Sequence, residues 1–372
     1  MPAPREPTAL GVHVYAGGFT LGMRRRFRVL AHLEDGTFGV ETFSANFPGI
    51  PVFTSRSEWP LDELRGRVDV VYGNPPCAPF SSVGSRGRWE GDARVQGLLD
   101  LVDVGMAVRP RAWVWESVCQ AYTAGRRLAE QATARFMELG YAVTHLFTNA
   151  VLHGVPQSRE RYHCIAHDFR IPWRQPAEPV VTVREALEGV APDSWASLPS
   201  ALTPLLPYVL PGCAAPRVFE WLMGYRRHVR GPVAGRPAQV LRRARWDTPA
   251  HTIVGGPCVL HPDEDRLLSP AEHSALCGYP RDYVWTGSLT ERYRQVGRSV
   301  TPGVAAYLAE MLRMGLEENE TAPQEASVVD FRPLAAPVRA AMRPPRLPVE
   351  WRGMWVAESP VEHAGRARAS YG

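Results

Sequence analysis

Short apolar runs that each stop at a chemically useful residue constrain this chain most. GVHVYA (11–16) ends in Gly17-Gly18, the run at 68–72 leads through Gly-Asn-Pro-Pro to Cys77, and AWVW (112–115) ends at Glu116. Between them the apolar spacing turns helical. A helix is predicted to start at Thr20, another to span 95–108 before Arg109-Pro110, and a third to span 124–139 before Gly140. One more strand is expected over 162–166. Alternating strands and helices predict a parallel sheet with helices on both faces. Ligands of such sheets bind beyond the carboxyl ends of the strands. Gly17-Gly18, Cys77 and Glu116 all fall at such ends, so one crevice is expected to hold them.

The 372 residues are enough for a large core and more than one domain. From about 170 prolines become frequent and helical spacing weakens until 215–225, which reads as a separate small domain with many turns. Order returns near Thr252, with helices predicted from Pro270 and over 304–316. Beyond 318 the chain is rich in Glu, Pro, Ala and Arg and is expected to be a disordered or loosely docked tail. The domain boundaries expected are 1–168, 169–243, 244–317 and 318–372. No apolar run is long enough to span a membrane and the N-terminus has no signal-peptide pattern, so a cytoplasmic protein is expected. All 42 basic residues are arginine, and the net charge of +4 permits a nucleic-acid partner without requiring one. The arginine clusters at 224–230 and 241–246 read as solvated faces unless a partner is shown. The six cysteines have no CxxC spacing, which argues against zinc or disulfides and predicts no metal.

Prolines on either side of Cys77 fix the backbone and deny it a helix. A rigid strand-end thiol beside a crevice is how a nucleophile is presented, although an isolated cysteine is more often a buried structural thiol. Glu116 follows four apolar residues. It is either a surface charge or an acid whose pKa partial burial would raise, as proton donation near neutral pH requires. In GVPQSRERYHCIA (154–166), alternation puts Arg159 and Arg161 on one face, suited to a phosphate or a base edge, or to a charged sheet edge.

Taken in order, these segments resemble the DNA cytosine-5 methyltransferases over roughly 11–168 and 244–316. YAGGFTLGM (15–23) is similar to the glycine-rich cofactor loop of that family, and GNPPCAPFSSVG to its Pro-Cys motif. RPRAWVWESV is similar to the strand ending in Glu-Asn-Val, and NAVLHGVPQSRERYHCIA to the Gln-x-Arg-x-Arg motif. RWDTPAHTIVGG, HPDEDRLLSPAEHSALCGYPRDYVWTG and YRQVGRSVTPGVAAYLAEML resemble the closing motifs. The resemblance implies a Rossmann-like α/β methyltransferase fold that uses S-adenosylmethionine, with a mixed, mostly parallel sheet and a small target recognition domain. It implies that Cys77 attacks carbon 6 of a flipped cytosine, with Glu116 at the ring nitrogen and amino group. Arg161 would bind the carbonyl oxygen, and Arg159 would support it near Cys77. It also implies cofactor contacts from Tyr15, Ala16, Gly17, Gly18, Glu34 (at the ribose), Asn74, Pro75, Arg298, Ser299 and Val300. Double-stranded DNA would be met by Ser81, Ser82, Arg86 and Arg88 in a mobile loop over 82–98, and by Arg226, Arg227 and Arg230 in the recognition domain. A monomer, in a restriction-modification or phage setting, is expected.

The sequence departs from the family pattern mainly around the cofactor. The glycine loop is two residues short, and His13 stands where an aspartate is usual. FTSRSEW replaces Gly-Asp-Ile, Ala78 replaces glutamine, Ser117 replaces asparagine, and Gly297-Arg298-Ser299-Val300 replaces Gly-Asn-Ala-Val. Drift explains such changes. So would a retuned cofactor: a buried Arg298 needs an anionic partner, and the carboxylate of carboxy-S-adenosylmethionine would supply one, making a carboxymethyltransferase. A DNA phosphate is the other candidate. Further alternatives are an inactive DNA-binding homologue, against which the retained Cys77, Glu116, Arg159 and Arg161 argue, an RNA substrate, and adenine amino-methylation suggested by Asn74-Pro75-Pro76.

Overall fold

In the computed structural model, residues 5–77, 79–80, 92–198, 200–224, 241–322 and 326–354 are described. Eight strands form one sheet: β1 (Thr8–Val12), β2 (Arg28–Leu33), β3 (Val52–Phe53), β4 (Val70–Gly73), β5 (Ala112–Ser117), β6 (Ala142–Asn149), β7 (Glu160–His167) and β8 (Ser327–Asp330). Their spatial order is β8-β6-β7-β5-β4-β1-β2-β3. All neighbours run parallel except β7, which is antiparallel to both β5 and β6. Strand order reverses between β1 and β4, the switch point at which an open α/β sheet binds its ligand.

The apolar runs are continuous because both faces are covered. Along β5, Ala112 and Val114 enter one core and Trp113 and Trp115 the other. The first core is closed by α1 (Gly18–Met23), α2 (Val40–Asn46) and the C-terminal α8 (Pro302–Glu318); the second by α3 (Gln96–Val108) and α4 (Arg126–Met137). Gly22 lets α1 lie directly on α8, since a Cβ there would sit 2.3 Å from Ala305 Cβ and 2.5 Å from Ala306 N. A third, smaller apolar cluster gathers Leu206, Val209, Val218, Leu222, Leu260 and Leu347 around α5 (Ala215–Leu222). Two further helices, α6 (Pro270–Leu276) and α7 (Leu289–Arg298), begin with serine capping boxes, Ser269 with Glu272 and Ser288 with Glu291.

Several expectations change. The first strand ends at Val12 rather than at 16, because His13 and Tyr15 are both left-handed, with φ of 51°. The loop expected over 82–98 overlaps α3, which starts at Gln96 after a 3-10 turn at Ala93–Val95. The segment beyond 318 is not loosely docked throughout: β8 pairs with β6, and Phe331 and Ala335 are buried in the first core. Ile171 and Val183 also pack into that core, although 169–243 reads as a separate region. Arg243 is not part of a solvated face; it is buried and donates to the carbonyls of Val209, His261 and Glu264.

Candidate active site

The loop leaving β1 is tightly pinned. Gly17 N–H donates to Val14 O at 2.9 Å, and the Tyr283 hydroxyl donates to Ala16 O. Gly17 has φ of 87°, which favours glycine, and a Cβ there would lie 2.4 Å from the Phe47 ring. A Cβ on Gly18 would lie 2.0 Å from the Tyr279 hydroxyl and 2.3 Å from Val300 O. The glycine pair therefore fits into a cradle formed by α2 and the closing segment. Burial first, and then the negative charge of Glu34, push the Tyr15 hydroxyl well above its usual range. Tyr15 packs edge-on against Phe38, over which the Arg298 guanidinium lies, and β4 and β5, which lead to Cys77 and Glu116, pair side by side next to β1, so these groups converge on one cleft at the switch point.

Cys77 lies beyond the end of β4, outside any strand or helix, and is half-buried; its carbonyl accepts from Phe80 N–H at 3.0 Å, which closes a turn. Pro75 and Pro76 lie against Gly97 of α3, where a Cβ would meet them at 3.1 and 3.0 Å. Asn74 is buried; its amide approaches Arg298 O at 3.5 Å, and its Oδ1 has no partner. Strand pairing brings in the acid. Ser117 of β5 faces Tyr162 of β7, so Glu116 and Arg161 meet at the same edge, with Arg161 Nε 3.0 Å from Glu116 Oε1. Glu116 is only 6% exposed. Burial pushes its carboxyl above the usual range, outweighing Arg161 and Arg159, which act in the opposite direction.

Arg159 is also in this field but has a different task. It is buried, and its guanidinium donates to Ile253 O at 2.7 Å, Gly297 O at 3.0 Å and Ser299 O at 3.3 Å. It staples the closing segment to the sheet, and burial followed by the Arg161 charge lowers its pKa. Ser299 and Val300 are buried beside it, while Arg298 is exposed, with its guanidinium 5.2 Å from the centre of the Phe38 ring. Arg298 is thus a cation at the cleft's mouth and not the buried charge expected. Glu34, at the end of β2, is buried and takes part in a network of ionic contacts with His13 and Asp100. Asp100 and His13 were not among the candidates. The available signal was an acid on the buried stripe of α3, in LLDLV. Ser81, Ser82, Arg86, Arg88, Arg226, Arg227 and Arg230, like Ala78, lie outside the described residues.

A sheet reversing beside a glycine cradle, with an acid at the end of the adjacent strand, defines the class of Rossmann-like α/β folds that bind a nucleoside-bearing cofactor at the switch point. Solved structures of the same fold include Schizosaccharomyces pombe Dnmt2 (TM-score 0.58, 15% identity, covering 83% of this chain and 99% of that one). The Entamoeba histolytica methyltransferase EhMeth is another (TM-score 0.60, 14% identity, covering 84% and 99%). The sequence matches the family model for C-5 cytosine-specific DNA methylase over residues 12–188 and 220–313. It is 31% identical over 330 residues to the type II methyltransferase M1.HphI of Haemophilus parahaemolyticus, covering 82% of this chain and 86% of that relative. It is 26% identical to M.AplI of Arthrospira platensis, covering 83% and 86%. The chain belongs to the C-5 cytosine-specific DNA methylases and is a DNA methyltransferase. Among the described residues, no helix is long and apolar enough to cross a membrane.

Proposed function

We propose that this enzyme methylates carbon 5 of a cytosine turned out of duplex DNA, by way of a covalent bond to Cys77. The observation that carries the reading is the buried Glu116–Arg161 pair, at the end of the strand that pairs with the one leading to Cys77. The Cys77 thiolate adds to carbon 6. Glu116, whose affinity for a proton burial raises, donates to the ring nitrogen and removes the charge that would build up there. Arg161 donates to the carbonyl oxygen. Carbon 5, now electron-rich, accepts the methyl group. Loss of the carbon-5 proton to water then expels the thiolate, and the ring nitrogen returns its proton to Glu116, which restores both ring and enzyme. Arg159 acts through the backbone it staples, not by touching the base.

The cleft's residues fit S-adenosylmethionine, which supplies the electrophilic methyl. Glu34 Oε2 and Asn74 Oδ1 are buried acceptors without hydrogen-bond partners, and the glycine cradle admits close backbone approach. Residues 200–223 and 241–267, gathered around the third cluster, would form the recognition unit, and the relatives' type II names suit a modification enzyme guarding its own DNA.

One observation favours a second reading of the cofactor. Among the described residues, no carboxylate pairs with the Arg298 guanidinium, which sits over Phe38 at the cleft mouth. A carboxylate on the transferred group, as in carboxy-S-adenosylmethionine, would complement it. Nucleoside mass spectrometry tests both readings. DNA from cells expressing the protein should contain 5-methylcytosine that is absent with Cys77→Ala. A heavier, acidic cytosine that reverts to methylcytosine with Arg298→Asn would favour the second reading. Unmodified cytosine in both would defeat the two readings together.

A further inference from the structure

His13 closes an ion cluster for which the reaction as proposed has no use. Its Nδ1 is 2.7 Å from Glu34 Oε1 and its Nε2 is 3.0 Å from Asp100 Oδ2. All three side chains are buried. A neutral imidazole donates from one nitrogen only, which would leave the other nitrogen's lone pair facing a carboxylate. The geometry therefore demands the imidazolium. The other charged and titratable groups packed around it agree. Asp100 Oδ2 also accepts from Arg56 at 2.8 Å, Arg56 pairs with Asp35, and Asp100 Oδ1 accepts from Gln96 at 3.0 Å. His32 Nε2 makes an ionic contact with Glu34 Oε2 at 3.3 Å without hydrogen-bond alignment, so the buried Oε2 has no hydrogen-bond donor of its own. Tyr15 borders the same cleft, and Trp59 packs edge-on to the ring.

This places a fixed cation between the end of β2 and α3, the helix against which Pro75 and Pro76 rest. His13 itself has φ of 51°, and its backbone N–H is tied to Leu33 O at 2.9 Å, so the ring position is set from both sides. We infer that His13 is a positioning residue for the cofactor: it fixes the Glu34 carboxylate through Oε1 so that Oε2 is left to accept a ribose hydroxyl. An acid after the second strand of such sheets takes that role. The inference rests on the proposed reading of the cleft as the S-adenosylmethionine site.

The probes are S-adenosylhomocysteine and its 2′-deoxy and 3′-deoxy analogues, titrated calorimetrically into the full chain. The wild type should prefer the ribose ligand to at least one analogue by about tenfold, the worth of one charge-assisted hydrogen bond. His13→Asn should bind S-adenosylhomocysteine about tenfold more weakly and lose most of that preference. Its catalytic loss should fall on the KM for S-adenosylmethionine more than on kcat. A pH series on the wild type needs no variant. Burial alone would lower the His13 pKa, but the hydrogen bonds it donates to Asp100 and Glu34 raise it to about 9. Ribose preference should therefore hold through neutral pH and fade as pH rises through about 9. A wild type that binds without ribose preference would overturn the reading of the cleft. A wild type that discriminates, with His13→Asn discriminating equally or with preference unchanged to pH 10, would overturn the role of His13 alone.

Discussion

At the scale of single residues, the two arginines of QSRER divide the work. Arg161 pairs with Glu116, whereas Arg159 is spent on three backbone carbonyls. Arg159→Ala should therefore behave as a folding defect, leaving buried acceptors unsatisfied at about 1–3 kcal/mol each at most and lowering the urea midpoint. Arg161→Ala removes the partner of the buried Glu116, so it should lower the midpoint as well, but its loss of kcat should exceed what the loss of folded protein accounts for. Glu116→Gln keeps size and hydrogen-bonding reach but cannot supply the proton, so kcat should fall by roughly 10²–10⁴-fold with DNA binding retained in a filter or fluorescence assay. The pH dependence has a definite sign. Burial raises the Glu116 pKa, and activity that needs its proton is lost as pH rises through that raised value. Arg161 pulls the pKa down, so in Arg161→Ala the alkaline limb of the remaining rate should move to higher pH. A limb that stays put or moves lower would mean that Glu116 is not the acid being titrated.

At the scale of elements, close backbone approach decides where substitutions are tolerated. Alanine is a better helix former than glycine by up to about 1 kcal/mol. At Gly22, however, a methyl would meet Ala305 Cβ at 2.3 Å and backbone at 2.5 Å, and overpacking costs about 1–3 kcal/mol. The clash outweighs the propensity, so Gly22→Ala should destabilise the α1–α8 contact and lower the urea midpoint. The same scale shows what the sequence made legible. β4 and β5 are apolar on both faces and end in polar residues, so their ends, and with them Cys77 and Glu116, stood out. Pro270–Leu276 was marked by its serine and proline. β2 and β6 carry His32, Thr144 and His145 among their apolar residues, and their strand character rests on neighbours rather than on pattern. β8 is four residues in polar surroundings, fixed only by the edge of β6. The Glu34–His13–Asp100 cluster joins residues 21 and 87 positions apart from His13. Local spacing carries no trace of that; only the fold brings the three together.

At the scale of the whole molecule, residues 326–354 connect what would otherwise be separate bodies. β8 extends the sheet, Phe331 and Ala335 enter the core beneath α8, and Arg339 pairs with Glu160 at 3.0 Å, next to Arg161. The chain then crosses to the third cluster. There Leu347 is buried, Trp221 Nε1 donates to Pro348 O at 2.7 Å, and the Trp351 ring packs edge-on against Tyr208 at 5.1 Å. The proposed recognition unit is therefore braced from behind by the end of the chain. Replacing Leu347 and Trp351 by alanine removes the brace and leaves the cleft untouched. Large-to-small changes of this kind cost about 2–5 kcal/mol at a fully buried site and less at the half-buried Trp351. That cost should appear locally. Amide exchange should quicken over 205–223, while β4 and β5 keep their protection. KM for DNA should rise with cofactor affinity unchanged, because only the orientation of the small cluster against the cleft is loosened. If exchange quickened equally in β4 and β5, the C-terminal segment would be part of one cooperative core. If DNA binding did not change while 205–223 loosened, DNA recognition would have to be placed outside that cluster.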